Sequence, residues 1–205
     1  MANQKEILLH AFDQGITNFD LANNYGGGSA KRNFGLIFNE HLHSYRDELI
    51  ISTKAGYRMW DGPYGDGGSR KYLIASCDSS LKRLGIDYVD IFYHHRFDCT
   101  VPLEETAYAL NTLVENGKAL YVGVSNYSVT ETRQISQLFD ELKTPFIVNQ
   151  IPYNMFQRTF EDGVKDAALE TGIGTVSYSP LAQGQLSARY LKGFRKTLGL
   201  LEKES

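Results

Sequence analysis

Short apolar runs alternate along this chain with longer stretches of helical periodicity, and no other feature constrains the fold as tightly. The runs occupy residues 16–21, 49–53, 88–94, 119–124, 146–149 and 174–178, roughly 30 residues apart, which is the spacing of a βα unit. Between them, residues 3–14, 29–40, 70–84, 103–116, 129–142 and 159–170 carry apolar side chains at three- and four-residue intervals. Gly15, Gly117 and Gly172 stand where helices must stop, and Ser29 where one needs a cap. Strands joined through helices run parallel with right-handed crossovers. The runs are apolar on both faces, as a sheet covered by helices requires. No linker or shift in composition divides the 205 residues, so one domain over 1–205 is expected.

A parallel α/β chain either stays an open sheet or closes into a barrel. The open dinucleotide-binding sheet carries GxGxxG after its first strand, and this chain has no such motif. Gly26-Gly27-Gly28-Ser29 lacks the Lys and Ser/Thr of a P-loop and reads as a turn. Polar residues instead end several different runs, and chemistry gathered from many strand ends is the habit of a (β/α)8 barrel. The expected fold class is therefore α/β, a (β/α)8 TIM barrel that is incomplete, with about six of its eight units present.

Composition excludes several function classes. The chain is 42% hydrophobic and 22% charged with a formal charge of −3, and no basic run suggests a nucleic-acid partner. No stretch approaches the roughly 18 apolar residues of a membrane span, and residues 1–6 lack the order of a signal peptide. Cys77 and Cys99, without CxxC spacing, argue against a metal and for a reducing compartment, so a cytoplasmic setting is expected.

The strand-end residues make a coherent chemical set. Tyr25 offers a phenol whose ordinary pKa, near 10, a neighbouring cation would lower. Lys54 is expected to supply that charge, with Asp20 holding it in place. One of the adjacent pair His94 and His95 would orient a substrate carbonyl and donate to its oxygen. This points to carbonyl reduction; a Schiff-base lyase acting through Lys54 is the competing chemistry. Further along, Ser125, Asn126 and Gln150 have the donors and acceptors to grip a neutral carboxamide. Tyr178 offers a ring for a flat heterocycle, and Ser179, Leu181, Gln183 and Gly184 lie in a turn suited to phosphate. A nicotinamide cofactor fits all three features. The Gly-rich loop 56–69, with Tyr57, Trp60 and Tyr64, is expected to wall the substrate pocket.

The segments FDLANNYG (19–26), ISTKAG (51–56), YVDIFYHHR (88–96), GVSNY (123–127), VNQIPYN (148–154) and SYSPLAQG (177–184) closely resemble the aldo-keto reductase superfamily. Residues 56–96 resemble the branch of bacterial L-glyceraldehyde 3-phosphate reductases and potassium-channel β subunits. The resemblance implies a (β/α)8 barrel that binds NADP(H), with Asp20, Tyr25, Lys54 and His95 as catalytic tetrad; the interval from Asp90 selects His95 over His94. It implies Asp20, Ser125, Asn126, Gln150, Tyr178, Ser179, Leu181, Gln183 and Gly184 as cofactor contacts, and Tyr25, Trp60 and His95 as contacts of a small carbonyl substrate. Lys31-Arg32 stand where the family usually has an acidic residue after Ser-Ala. The chain begins inside the first helix, and its tail 193–205 holds no eighth strand, so the first and last strands are expected to be missing. Self-association would cover the edges so exposed, and a catalytically impaired or binding-subunit-like homologue is the alternative to an active reductase.

Overall fold

The structure, a computed structural model, describes residues 2–191; the tail 193–205 lies outside them. Six strands form one sheet in sequence order: β1 (Asn18–Asp20), β2 (Ile50–Ala55), β3 (Val89–His94), β4 (Ala119–Ser125), β5 (Phe146–Pro152) and β6 (Gly174–Tyr178). Every neighbouring pair is parallel. Six α-helices alternate with them: α1 (Ala2–Asp13), α2 (Ser29–Ile37), α3 (Arg70–Leu84), α4 (Leu103–Glu115), α5 (Val129–Leu142) and α6 (Val164–Thr171). The result is a half-barrel, the expected incomplete (β/α)8 fold. Its curl is visible in one contact: Gln150 in β5 donates across the concave face to Asp20 in β1, at 3.0 Å. No helix among the described residues is long and apolar enough to cross a membrane.

Strand alternation sorts side chains into two clusters. Ile51, Ala55, Phe92, Val122 and Val124 face the helices and pack with Phe38, Leu73, Leu84, Leu110 and Phe139 in the main core. The concave face holds a much smaller cluster of Ile91, Tyr93 and Val148. Gly123 makes this second cluster possible, because a Cβ there would come within 2.6 Å of the Tyr93 ring and 2.8 Å of Val148.

Strand ends run further than the apolar runs suggest. Lys54 and Ala55 continue β2 opposite Tyr93 and His94, and Gln150 lies within β5 opposite Ser125. A polar side chain interrupts the hydrophobic pattern without interrupting the backbone ladder, provided that its own face supplies partners. Helix ends differ too. Ser29 lies inside α2; the cap position falls to Gly28, in left-handed conformation at φ 90°, with no side-chain cap bond. The stretch 29–40 leaves the α-helix after Ile37 for a π-turn over Phe38–Leu42. The stretch 159–170 breaks at Gly163 (φ 105°), which separates a short 3-10 turn from α6.

Gly35 marks the tightest helix–helix contact. A Cβ there would stand 2.7 Å from the carbonyl oxygens of both Arg83 and Leu84, so α2 crosses α3 almost on its backbone. Gly35→Ala is therefore expected to destabilise by about 1–3 kcal/mol through overpacking, although alanine is the better helix former. Urea denaturation checks this; a gain in stability would refute the close crossing.

Candidate active site

At the C-terminal ends of the strands lies a cavity of about 420 Å³. Asn24 and Tyr25 reach it from the segment after β1, Tyr57 and His95 from those after β2 and β3, and Ser125, Asn126, Gln150, Tyr178 and Ser179 from the ends of β4 to β6. Eight of these nine positions follow or end a strand, as a barrel site demands. Trp60 does not line the cavity: its ring packs on Tyr72 at 5.4 Å and its Nε1 donates to the Pro63 carbonyl at 3.3 Å. Of the three loop aromatics expected to wall the pocket, Tyr57 alone lines this cavity, and it meets His95 edge-on at 4.6 Å; Tyr64 does not reach it. The sequence signal for Tyr57 was its position two residues past Ala55, nearer the strand end than Trp60.

Asp20 and Lys54 form the ionic heart of the site. The fully buried Lys54 ammonium pairs with Asp20 and donates to the Leu21 carbonyl at 3.1 Å. Asp20 also accepts from Ser52 Oγ at 2.5 Å and from Gln150. Burial lowers the Lys54 pKa, and the Asp20 charge opposes that fall.

The Lys54 nitrogen stands 5.6 Å from the Tyr25 ring centroid, but it does not depress the phenol. Burial, then the Asp20 carboxylate and the neighbouring Tyr178 and Tyr57, raise the Tyr25 pKa. This reverses the expectation drawn from residue types. A lysine whose charge a carboxylate already neutralises presents little net field to a third group.

His95 and His94 diverge by strand alternation. Tyr93 faces the concave side, so His95 follows it there, while His94 turns with Phe92 into the helix layer. His94 Nδ1 bonds the Tyr127 hydroxyl at 2.7 Å. The His95 ring stands 6.1 Å from that of Tyr25, near-perpendicular at 76°, and its buried Nδ1 has no hydrogen-bond partner among the described residues. Burial pushes both imidazoles down to about 4; at His95 the Lys54 charge adds to the effect. The folded protein therefore binds these two protons only near pH 4, whereas the unfolded chain takes them up near 6.5. Stability should fall as pH drops through that window, since the unfolded state then binds more protons. Urea midpoints from pH 7 to 4 test this; a flat profile, or one unchanged by His94→Gln, would refute it.

The amide cluster is organised around Asn126, held at φ 60°. Its Nδ2 donates to the His95 carbonyl and to Ser125 Oγ, both at 3.0 Å, while its Oδ1 accepts from the Tyr178 hydroxyl at 2.7 Å. Asn126 thereby ties β3, β4 and β6 together, and the cap of α5 is left to Ser128, in a capping box with Glu131. Ser125 keeps its hydroxyl proton to donate, and among the described residues Gln150 Oε1 accepts no bond. One donor and one acceptor thus remain for a carboxamide. Ser179, Ala182 and Gln183 all have positive φ, at 55°, 46° and 56°, each a departure costing about 1–3 kcal/mol, of the kind that clusters at ligand clamps. Leu181, Gln183 and Gly184 lie in that turn but do not line the cavity.

Comparison with known proteins places the chain in a family. The model of the aldo/keto reductase family matches residues 1–201. The L-glyceraldehyde 3-phosphate reductase of Escherichia coli K12 is 55% identical over 196 residues, 94% of this chain and 57% of the relative. A probable voltage-gated potassium channel subunit beta of Arabidopsis thaliana is 38% identical over 193 residues, covering 92% and 58%. The chain thus spans somewhat over half the length of these relatives. With the six-stranded half-barrel, these matches establish that the chain belongs to the aldo/keto reductase family.

Proposed function

We propose that this chain carries the catalytic half-site of an NADPH-dependent reductase of small aldehydes and ketones. The observation that carries the reading is the convergence of Tyr25, His95, Ser125, Gln150 and Tyr178 on one cavity, with the Asp20–Lys54 pair beside Tyr25. The undonated Ser125 hydroxyl proton and Gln150 Oε1 fit a carboxamide, and the Tyr178 ring, pinned through its hydroxyl to Asn126, offers a face for a flat heterocycle. A nicotinamide so held supplies hydride when bound. The chain's own residues supply the proton and the geometry.

Tyr25, kept protonated by burial, donates its phenolic proton to the carbonyl oxygen as that oxygen becomes an alkoxide, a far stronger base than phenolate. The phenolate left behind takes a proton back from solvent, to which the half-exposed ring is open, while the Asp20–Lys54 pair stands fixed beside it. His95, neutral above about pH 4, can donate from Nε2 to the same oxygen and position it against Tyr25. The name of the bacterial relatives, L-glyceraldehyde 3-phosphate reductase, makes short hydroxyaldehydes the first substrates to try. Incubation with NADPH and glyceraldehyde, its 3-phosphate and glycolaldehyde should oxidise the cofactor. NADPH binding without oxidation of any of the three would instead favour a binding-subunit role like that named for the plant relatives.

A further inference from the structure

Seven lysine and arginine side chains among the described residues are held in ion pairs. Arg46, Arg58, Arg96, Arg133 and Arg158 each meet a carboxylate, and so do Lys54 and Lys118. Lys5, Arg32, Lys82 and Arg83 make no ion pair or hydrogen bond among the described residues, and all four line one groove of about 1030 Å³ between α1, α2 and α3. In a chain of net charge −3, this is a local concentration of unmatched positive charge.

The groove is built rather than incidental. Its floor is apolar, with Ile37 and Leu84 buried and Leu36 60% exposed above them. Asn39 fixes its base, donating to the Gly35 carbonyl at 2.7 Å and to the Leu84 carbonyl at 2.9 Å, and so clamps α2 to α3. Glu40 is the one acid on the rim, and it contacts His41 at 3.3 Å.

Among the described residues no carboxylate pairs with Arg83. Its guanidinium lies against Gly28, where a Cβ would fall 3.1 Å from Nε and 3.2 Å from Cζ. Behind it stands Lys31, fully buried, which donates to Ser80 Oγ and has no carboxylate. Burial and the Arg83 charge hold the Lys31 amine well below the usual lysine range. The position where an acid would have paired with Arg83 is taken by this buried amine, and among the described residues the guanidinium is left open to a counter-charge from solution.

We propose that this groove binds a small phosphorylated molecule with an apolar body, its phosphate between the Arg32 and Arg83 guanidinium groups and its body on Leu36, Ile37 and Leu84. A phosphomonoester carries close to two charges at neutrality and accepts the paired donors that arginine presents. The volume is that of a small-molecule site. The groove is separate from the catalytic cavity: the two share no lining residue, and this one sits where α2 and α3 end, beside the N-terminal ends of β2 and β3.

Isothermal titration of the whole chain with phenyl phosphate should give saturable one-to-one binding. Inorganic phosphate should bind more weakly and benzyl alcohol not at all. Arg83→Gln, and the double change Arg32→Gln with Lys82→Gln at two exposed positions, should each weaken phenyl phosphate binding about ten-fold, the loss of a charge-assisted contact. Lys31→Glu should abolish binding by giving Arg83 an internal partner; the exposed double variant carries the test if that chain does not fold. Unsaturable phenyl phosphate, saturable binding untouched by the double variant, or inorganic phosphate binding as tightly would overturn the proposal.

Discussion

Tyr25→Phe is expected to lower kcat for aldehyde reduction by about 10²–10⁴-fold, the usual contribution of a positioned general acid, with NADPH affinity unchanged. The substitution removes one oxygen and its proton from a half-exposed ring at the cavity wall, so neither the fold nor the amide cluster should notice. Single-turnover decay of NADPH fluorescence separates the two quantities. The raised Tyr25 pKa adds a second signature: the phenol stays protonated through the neutral and mildly alkaline range, so kcat should be flat there rather than fall near pH 8. On the acid side, protonation of His95 near pH 4 should mark the lower limb. A rate that survives Tyr25→Phe, or an alkaline limb close to neutrality, would remove Tyr25 from the role of acid.

The second large effect concerns stability. Asp20→Asn is expected to destabilise by about 3 kcal/mol, because it leaves the fully buried Lys54 ammonium without a counter-charge. Lys54→Met should cost less. Asp20 is one-third exposed and keeps the Ser52 and Gln150 donors, so its charge is not stranded. The deficit of Asp20→Asn should also shrink at alkaline pH. Without its carboxylate, Lys54 is further depressed below its unfolded value, so the folded state binds fewer protons and gains stability as pH rises towards 10. Urea unfolding of both single variants and the double at pH 7 and 9.5 tests all of this. If Lys54→Met proves the more damaging change, the buried charge is not where the energy lies.

Much of this could be read from residues alone, for identifiable reasons. The βα alternation is local information, since helix and strand periods differ and glycine marks the ends, and all six strands fall on runs visible in the sequence. The rank of polar residues at those ends was equally legible, because a side chain that interrupts an apolar run needs a reason to be there. Element ends were less so. Gly28 takes the cap expected of Ser29, and Gly163 splits a stretch whose side-chain pattern runs on unbroken.

The site divides along the same line. Sequence by itself determined which strands carry ionisable and amide side chains, since that is a matter of order along the chain. Only the tertiary structure decided what those groups do to one another. It turned His94 into the helix layer and His95 into the cavity, placed Tyr57 rather than Trp60 on the cavity wall, and tied Asn126 to Tyr178 across two strands. It also reversed the sense of the Tyr25 shift, and it left Arg83 facing Lys31 with no acid between them. These outcomes depend on distance and desolvation, which change steeply over a few ångströms and are set by how the sheet curls, and no spacing along the chain encodes that.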